Sequence, residues 1–405
     1  MGDVTALQVF SPARIGGLRL RNRFVRSAAF EGMCPDGEPT DALLHYHREL
    51  AAGGVGMTTV AYAAVSNAGR SYRHQLCLWK PGTLPGLRRL TAAVHAHGAA
   101  ASLQLAHAGY CADPALTGGE TMAPSAVFNR YNLTFPRPMT AGDIAAVTEE
   151  FGNAATAAVE AGFDAVEIHA AHGYLLSQFL SPHTNRRRDH WGGSLQARLC
   201  FPLAVIRRVR ERIGPAFPIL IKMNLRDGFR GGLELDEAVA VARCFATEGA
   251  DALVLSGGFM SRTPIAVMRG RVPYRELRRS MHGFLTRLGA LVLARVLVRP
   301  VPFTEAYFLS EARGVRQAVS VPLVLVGGLR TLSRMEAVVR EGFQFVAMAR
   351  PFFAEPDLVR RFATGLARAA RCEPCNRCLA ALAAGEVKCP LLPPHALEPS
   401  QGMHP

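Results

Sequence analysis

Lysine is nearly missing: Lys80, Lys222 and Lys388 are the only ones among 46 basic side chains. Arginine therefore supplies almost all of the positive charge behind a formal net charge of +14, and it is spread along the chain. An excess distributed that way marks no single surface, which argues for an arginine habit and against a nucleic-acid interface. Long apolar runs are absent too. The most apolar stretch, Phe284–Val298, is broken by Arg287 and Arg295 and is too short to span a bilayer. Met1–Leu7 lacks the apolar segment of a secretory signal. No G-x-G-x-x-G follows a strand and no G-x-x-x-x-G-K-[ST] occurs, so the two commonest nucleotide-binding turns are excluded. The nine cysteines form no evenly spaced framework. Cys34, Cys77, Cys111, Cys200 and Cys244 are scattered singly, as expected of a reducing cytoplasm.

What is present is a repeated phrase: a helical stretch, a glycine, then a short apolar run rich in β-branched residues. It occurs at Ala51–Ala61, His95–Leu105, Glu160–His169, Thr247–Ser256 and Arg340–Ala349. Glycine after a helix suits a left-handed cap, and such runs read as parallel strands buried on both faces. Phe24–Ala28, Ile219–Met223 and Pro322–Val326 complete eight strands, with amphipathic helices such as Leu43–Ala52, Ile144–Ala161, Leu203–Ile213 and Asp236–Glu248 between them. That is the arithmetic of an α/β fold, a (β/α)8 TIM barrel; an open doubly wound sheet lacks its phosphate turn. Phe10–Arg23 reads as a short hairpin on the barrel floor. Ser261–Thr304 is a long insertion after strand six, and its helix Met281–Val298 is expected to cover the core or the barrel mouth. The barrel is expected over residues 1–370, a Cys-rich extension over 371–390 and a Pro-rich, disordered tail over 391–405.

In such a barrel the residues just past each strand face the active site. Here they include Ala28, Ala29, Tyr62, Gln104, His169, His172, Tyr174, Lys222, Gly327, Gly328, Ala349 and Arg350. The rim is rich in donors and almost free of carboxylates: Glu167 precedes its strand end and Asp227 stands alone, so hydrolysis by paired acids is poorly supported. His169 and His172 can aim two N–H groups at one oxygen, and Tyr174 can deliver a proton beside them. A metal reading of the same imidazoles lacks the H-E-x-x-H pattern and an evident third ligand. Gly327-Gly328 and Ala349-Arg350 follow strands seven and eight, where barrels often bind phosphate. With Gln104 suited to a heterocyclic imide and Lys222 to negative charge on it, the rim suggests FMN.

Arg21–Val25, Ser102–Gly109, Glu167–Pro182 and Asn185–Gly193 resemble the old yellow enzyme family, FMN-dependent barrel ene-reductases and NAD(P)H:flavin oxidoreductases, and the likeness runs from about Leu7 to Cys389. The resemblance implies hydride transfer from reduced FMN to the β-carbon of an α,β-unsaturated carbonyl compound, a small enone-type substrate, with NAD(P)H as the transient donor. His169 and His172 would hold the carbonyl oxygen and Tyr174 would protonate the α-carbon. Gln104 and Lys222 would meet the flavin pyrimidine, Ala28 and Ala29 its ring, and the glycines with Arg350 its phosphate. Phe30 and Gly32 depart from the family pattern of Cys or Thr and Tyr, and Lys222 replaces the commoner Arg.

Cys372, Cys375, Cys378 and Cys389 read C-x2-C-x2-C-x10-C, a spacing able to wrap a [4Fe–4S] cluster; zinc and an unliganded knuckle are the alternatives. The spacing is similar to that of the iron–sulfur branch of the family, trimethylamine dehydrogenase and 2,4-dienoyl-CoA reductase. That raises a second activity, a flavoprotein dehydrogenase or demethylase passing electrons from FMN to a cluster. A flavin- or nucleic-acid-binding module without turnover is the non-enzyme alternative. The runs Arg186–Arg188 and Arg207–Arg212 fall in a loop and on a barrel helix, so solvated or anion-facing roles are expected of them. No nucleic acid and no membrane are expected as partners; a homo-oligomer is compatible with the sequence.

Overall fold

The computed structural model describes residues 6–130, 132–264, 268–274, 276, 300–378 and 385–391. The helix expected at Met281–Val298 and all of the expected tail but Leu391 lie outside the described residues.

A hairpin of β1 (Ala13–Ile15) and β2 (Leu18–Leu20) opens the chain, as its turn residues Gly16 and Gly17 lead one to expect. Eight parallel strands then close into a barrel: β3 (Phe24–Arg26), β4 (Met57–Ala64), β5 (Ala100–Ala106), β8 (Ala165–Ala170), β9 (Ile219–Asn224), β10 (Ala252–Ser256), β11 (Leu323–Val326) and β12 (Phe345–Met348). The small strands β6 (Met122–Ala123) and β7 (Arg137–Pro138) pair outside it. Long helices return the chain between barrel strands: α1 (Asp41–Ala52), α2 (Thr83–His95), α4 (Ala141–Glu160), α6 (Leu195–Ile213), α7 (Leu235–Thr247), α8 (Leu309–Ala318) and α9 (Leu332–Arg340). Shorter ones are α3 (Pro114–Thr117), α5 (Leu175–Leu180), α10 (Arg350–Ala354) and α11 (Leu358–Ala363). All eight expected strands are present. One helix differs: α6 begins at Leu195, upstream of Pro202, because the Ser194 side chain caps it by accepting from Ala197 N–H. Among the described residues no helix is long and apolar enough to cross a membrane.

Period-two alternation divides the barrel into two environments. On β8, Val166, Ile168 and Ala170 join the apolar layer under the helices, whereas Ala165 belongs to the barrel interior. That interior is apolar at its floor, where Ile15 and Leu20 of the hairpin meet Val25, Leu220, Ala252 and Phe345. The residues of the same parity one or two steps along become polar: Gln104, Glu167, His169, Lys222, Asn224 and Ser256, all buried. A hydrophobic floor under a polar upper layer confines the chemistry to one end.

The segment after β3 is fixed by a buried ionic group. Arg26 Nη1 lies 2.6 Å from Glu31, both side chains being essentially inaccessible, and it also donates to Thr59 O at 2.6 Å. Arg26 Nη2 reaches Ala29 O at 3.0 Å, and Glu31 accepts the Ala61 N–H from β4. His47 of α1 stands 3.4 Å from Glu31 and 2.7 Å from Thr58 Oγ1; burial lowers its pKa, so the ring is held neutral. Removing one partner of a buried pair strands the other charge. Arg26→Met is expected to destabilise the protein by about 3–5 kcal/mol, and adding Glu31→Gln to recover part of the loss, as read from urea midpoints. No recovery in the double variant would show that the arginine acts by packing alone.

Candidate active site

The polar end of the barrel opens into a cavity of about 1320 Å³ that includes its open mouth. Ala28, Ala29, Tyr62, Gln104, His169, His172, Tyr174, Lys222, Gly327, Gly328, Ala349 and Arg350, the residues expected at the strand ends, all line it. Phe30 lines it as well, its ring 4.6 Å from that of Tyr72 and 5.8 Å from that of Tyr62. Gly32 (φ 67°) cannot carry a side chain, because a Cβ would fall 2.1 Å from Gly385 O. The C-terminal extension is therefore seated on the loop after β3, and Val387 N–H donates to Glu31 O there.

His169, His172 and Tyr174 share one wall. The two imidazole centroids are 5.1 Å apart with rings nearly perpendicular, and Tyr174 is 4.8 Å from His169. Ala171 N–H donates to His169 Nδ1 at 3.2 Å, so the neutral ring carries its proton on Nε2. Burial, with the neighbouring His172 and Lys222 charges, drives His169 well below its ordinary pKa; burial and Lys222 bring His172 to about 3. Both rings are neutral at any working pH. Burial pushes the Tyr174 phenol well above its ordinary value, so it keeps its proton. Tyr174 donates to Tyr62 Oη at 3.1 Å, and Tyr62 is 2.5 Å from Ser71 Oγ. Tyr62, expected against the cofactor, stands at the head of a hydroxyl chain behind Tyr174.

Two supports lie outside the residues expected at the site. Glu167, one alternation below His169, accepts from Gln104 Nε2 at 2.6 Å and pairs with Lys222 Nζ at 2.8 Å through the same oxygen. Lys222 also donates to Ser27 Oγ at 3.3 Å. The second support holds His172, whose φ of 61° is unusual for a residue with a side chain and costs about 1–2 kcal/mol. Its N–H donates to Asn224 Oδ1 at 3.0 Å, while its Nε2 lies 2.7 Å from Ser256 Oγ. Asn224 Nδ2 donates to Asp227 Oδ1 and to Gly258 O, each at 2.9 Å. Asp227 is fully buried, also accepts Leu233 N–H at 2.8 Å, and through its own carbonyl binds Thr263. It links the loops after β8, β9 and β10.

At the opposite end Arg330 lines the cavity beside Gly327 and Gly328, and its Nε is buried without a hydrogen-bond partner. Arg350 lines the cavity as expected and has further partners. Its guanidinium donates to Met268 O at 3.1 Å and contacts Asn376 Oδ1, so it braces the insertion and the extension. A buried unpaired guanidinium nitrogen beside two glycines, with Gln104 and Lys222 across the cavity, fits an anionic flavin: Arg330 and the glycine N–H groups at the phosphate, Gln104 and Lys222 at the pyrimidine. Cys372, Cys375, Cys378 and Cys389 line one recess adjoining the cavity. Among the described residues no three His, Cys, Asp or Glu side chains approach closely enough to hold a metal ion.

Residues 8–262 match the profile of the NADH:flavin oxidoreductase / NADH oxidase family. The chain belongs to that family. It is 40% identical over 378 residues to a 4,4'-dithiodibutanoate disulfide reductase of Rhodococcus erythropolis, covering 93% of each chain. It is 36% identical over 371 residues to a metal reductase of Desulforamulus reducens, covering 91% of this chain and 51% of that one, so it spans about half that relative's length. A solved structure of morphinone reductase in complex with tetrahydroNAD superposes with a TM-score of 0.70 at 25% identity, over 89% of this chain and 91% of the other. The protein is an oxidoreductase of this flavin-dependent family.

Burial raises the Asp227 pKa to about 6. Stability tied to its neutral form is fully present below about pH 4, the ordinary value, and is lost as the pH rises through about 6. In denaturant titrations Asp227→Asn should remove up to about 3 kcal/mol of pH dependence across that window, although the amide forfeits one of the two accepted bonds. An identical slope in both proteins would show that Asp227 does not titrate there.

Proposed function

We propose that this protein reduces an activated alkene, an α,β-unsaturated carbonyl compound, with electrons that NAD(P)H delivers through FMN. The observation that carries the reading is the wall of His169, His172 and Tyr174, two neutral imidazoles beside a phenol that burial keeps protonated. Bound FMN would supply a hydride to the β-carbon. His169 Nε2–H, its tautomer set by Ala171, donates to the substrate carbonyl, and His172 joins it from beside it on the same wall. Neutral donors stabilise negative charge growing on that oxygen, and rigidity makes the stabilisation effective, since no reorganisation is then needed. Asn224 and Asp227 supply the rigidity at His172. Tyr174 releases its proton to the α-carbon and can regain one along Tyr62 and Ser71. Apolar Phe30 and Phe353 on the cavity wall help exclude water.

A second reading, reduction of a disulfide, is favoured by the 40% identity to the Rhodococcus enzyme over nearly the full length of both. Hydride to one sulfur releases the other as a thiolate, which takes a proton from solvent without a dedicated donor. No step is routed through Cys372, Cys375, Cys378 and Cys389; a [4Fe–4S] cluster enters this proposal only as an occupant of the recess they line. Iron, zinc and sulfide analysis of anaerobically purified protein tests it. Fewer than one metal site per chain removes both metal readings.

Tyr174→Phe separates the two activities. Alkene reduction is expected to slow about a hundredfold or more in stopped-flow measurements, with flavin reduction by NAD(P)H and disulfide cleavage nearly intact. Equal loss in both half-reactions would rule out Tyr174 as the proton donor. Replacing both His169 and His172 should abolish binding of phenols, which mimic the enolate; unchanged phenol affinity would refute the anchoring role.

A further inference from the structure

Beyond the catalytic wall the loop after β10 meets the loop after α5 at a pair of arginines, Arg262 and Arg186. Met260 lines the cavity and its N–H donates to His172 O at 2.9 Å. Two residues on, Arg262 stacks over the Phe229 ring at 4.7 Å and its Nη1 contacts His183 Nε2 at 2.9 Å. A guanidinium can only donate, so His183 accepts and is neutral. Its pKa falls to about 4, first through burial and then through the charges of Arg262, Arg186 and Arg130. Arg186 Nε is engaged only by His183 O, at 3.2 Å. Nearby arginines are treated differently: Arg187 is paired with Asp189, and Arg137 with Glu120 and Asp143. Among the described residues Arg130, Arg186 and Arg262 have no carboxylate within ion-pair distance. Like charges brought together without a counter-ion repel, and an arrangement of this kind is relieved by an anion. Aromatic surface adjoins it. Phe128 and Phe135, exposed by 43% and 70%, pack at 5.1 Å on the same hairpin as Arg130.

We propose that Arg186 and Arg262, which both contact His183 beside the His172 loop, bind an anionic group, carboxylate or phosphate, of a ligand whose reactive end lies in the cavity. The proposal rests on the active-site reading above and adds the substrate class: acceptors or donors bearing a negative charge remote from the reacting bond. Two sources carry such a group, a carboxylate-bearing acceptor and the phosphates of the nicotinamide dinucleotide.

The test uses the FMN-loaded protein and two phenols read by the flavin charge-transfer band, neutral 4-propylphenol and anionic 3-(4-hydroxyphenyl)propanoate. Arg262→Gln is expected to weaken the anionic phenol about tenfold and the neutral one less than twofold, a difference that shrinks at high salt. Arg186→Gln, an exposed site, should act in the same direction and serves if the loss of Arg262 stacking impairs folding. In parallel, the dissociation constants of NADH and NADPH are taken from flavin-reduction rates. Weakening confined to the anionic phenol assigns the site to the acceptor; weakening confined to the dinucleotides assigns it to the donor. Unchanged affinity for every anionic ligand, or equal weakening of both phenols, overturns the proposal. If wild-type protein binds neither phenol while flavin is reduced normally, the imidazole anchor fails; the anion site then stands only if the dinucleotide constants move, and falls if they do not.

Discussion

One oxygen of Glu167 holds the centre of the barrel together. It receives Lys222 from β9 and Gln104 from β5, while Glu167 itself comes from β8, so three consecutive strands converge on a single acceptor. An ammonium or a carboxylate alone at this depth would be strongly disfavoured, and each would shed its charge. Paired, they offset one another where water does not reach, their side chains 1% and 2% exposed. The polar layer above the apolar floor depends on this pairing: it permits a positive group at the heart of the cavity without an uncompensated charge.

The imidazole wall is built outward from that layer. His169 sits across from Lys222 in the register of β8 and β9, so the ammonium and the ring are neighbours by construction. That proximity disfavours a second positive charge, which is one reason both imidazoles are neutral and can serve as hydrogen-bond donors without titrating. His172 needs a different constraint, since its backbone is in the left-handed region. Asn224 and Asp227 supply it from β9 and the loop behind it, tying together the loops that follow three strands. On the other side, Arg26 and Glu31 fix Ala29 and the stretch where Gly32 and Gly385 meet. Precise placement thus comes from buried polar networks, and the loops merely carry the reacting groups.

The barrel was legible because its signal is local. Five of the eight strands are short apolar runs after a glycine that closes a helix, as at Gly162 and Gly249 with φ of 79° and 110°. Residues at the strand ends were legible for the same reason, since the fold fixes which end faces the cavity. What sequence reasoning missed is non-local. Glu167 was set aside as lying before the strand end, yet period-two alternation puts it on the same inward face as His169, a cue that was available. Arg26, Glu31 and His47 meet across three elements, and no spacing announces them. Asp227 was read as standing alone, but it serves a backbone strain that only coordinates reveal. Arg330, two residues past Gly328, lines the cavity as Arg350 does, while the Arg350 guanidinium also braces Met268 and Asn376.

The chain's habit of writing arginine makes Lys222 informative. A guanidinium presents a planar fork that rewards two acceptors side by side, whereas an ammonium directs three donors apart from one compact centre. Here Glu167 and Ser27 take two of those directions from different walls, β8 and the end of β3. A guanidinium fork directed at Glu167 would present its donors side by side rather than towards both walls. The lysine lines the cavity, held by its contacts to Glu167 and Ser27. The geometry therefore gives a physical reason for lysine at this position in a chain that otherwise prefers its relative.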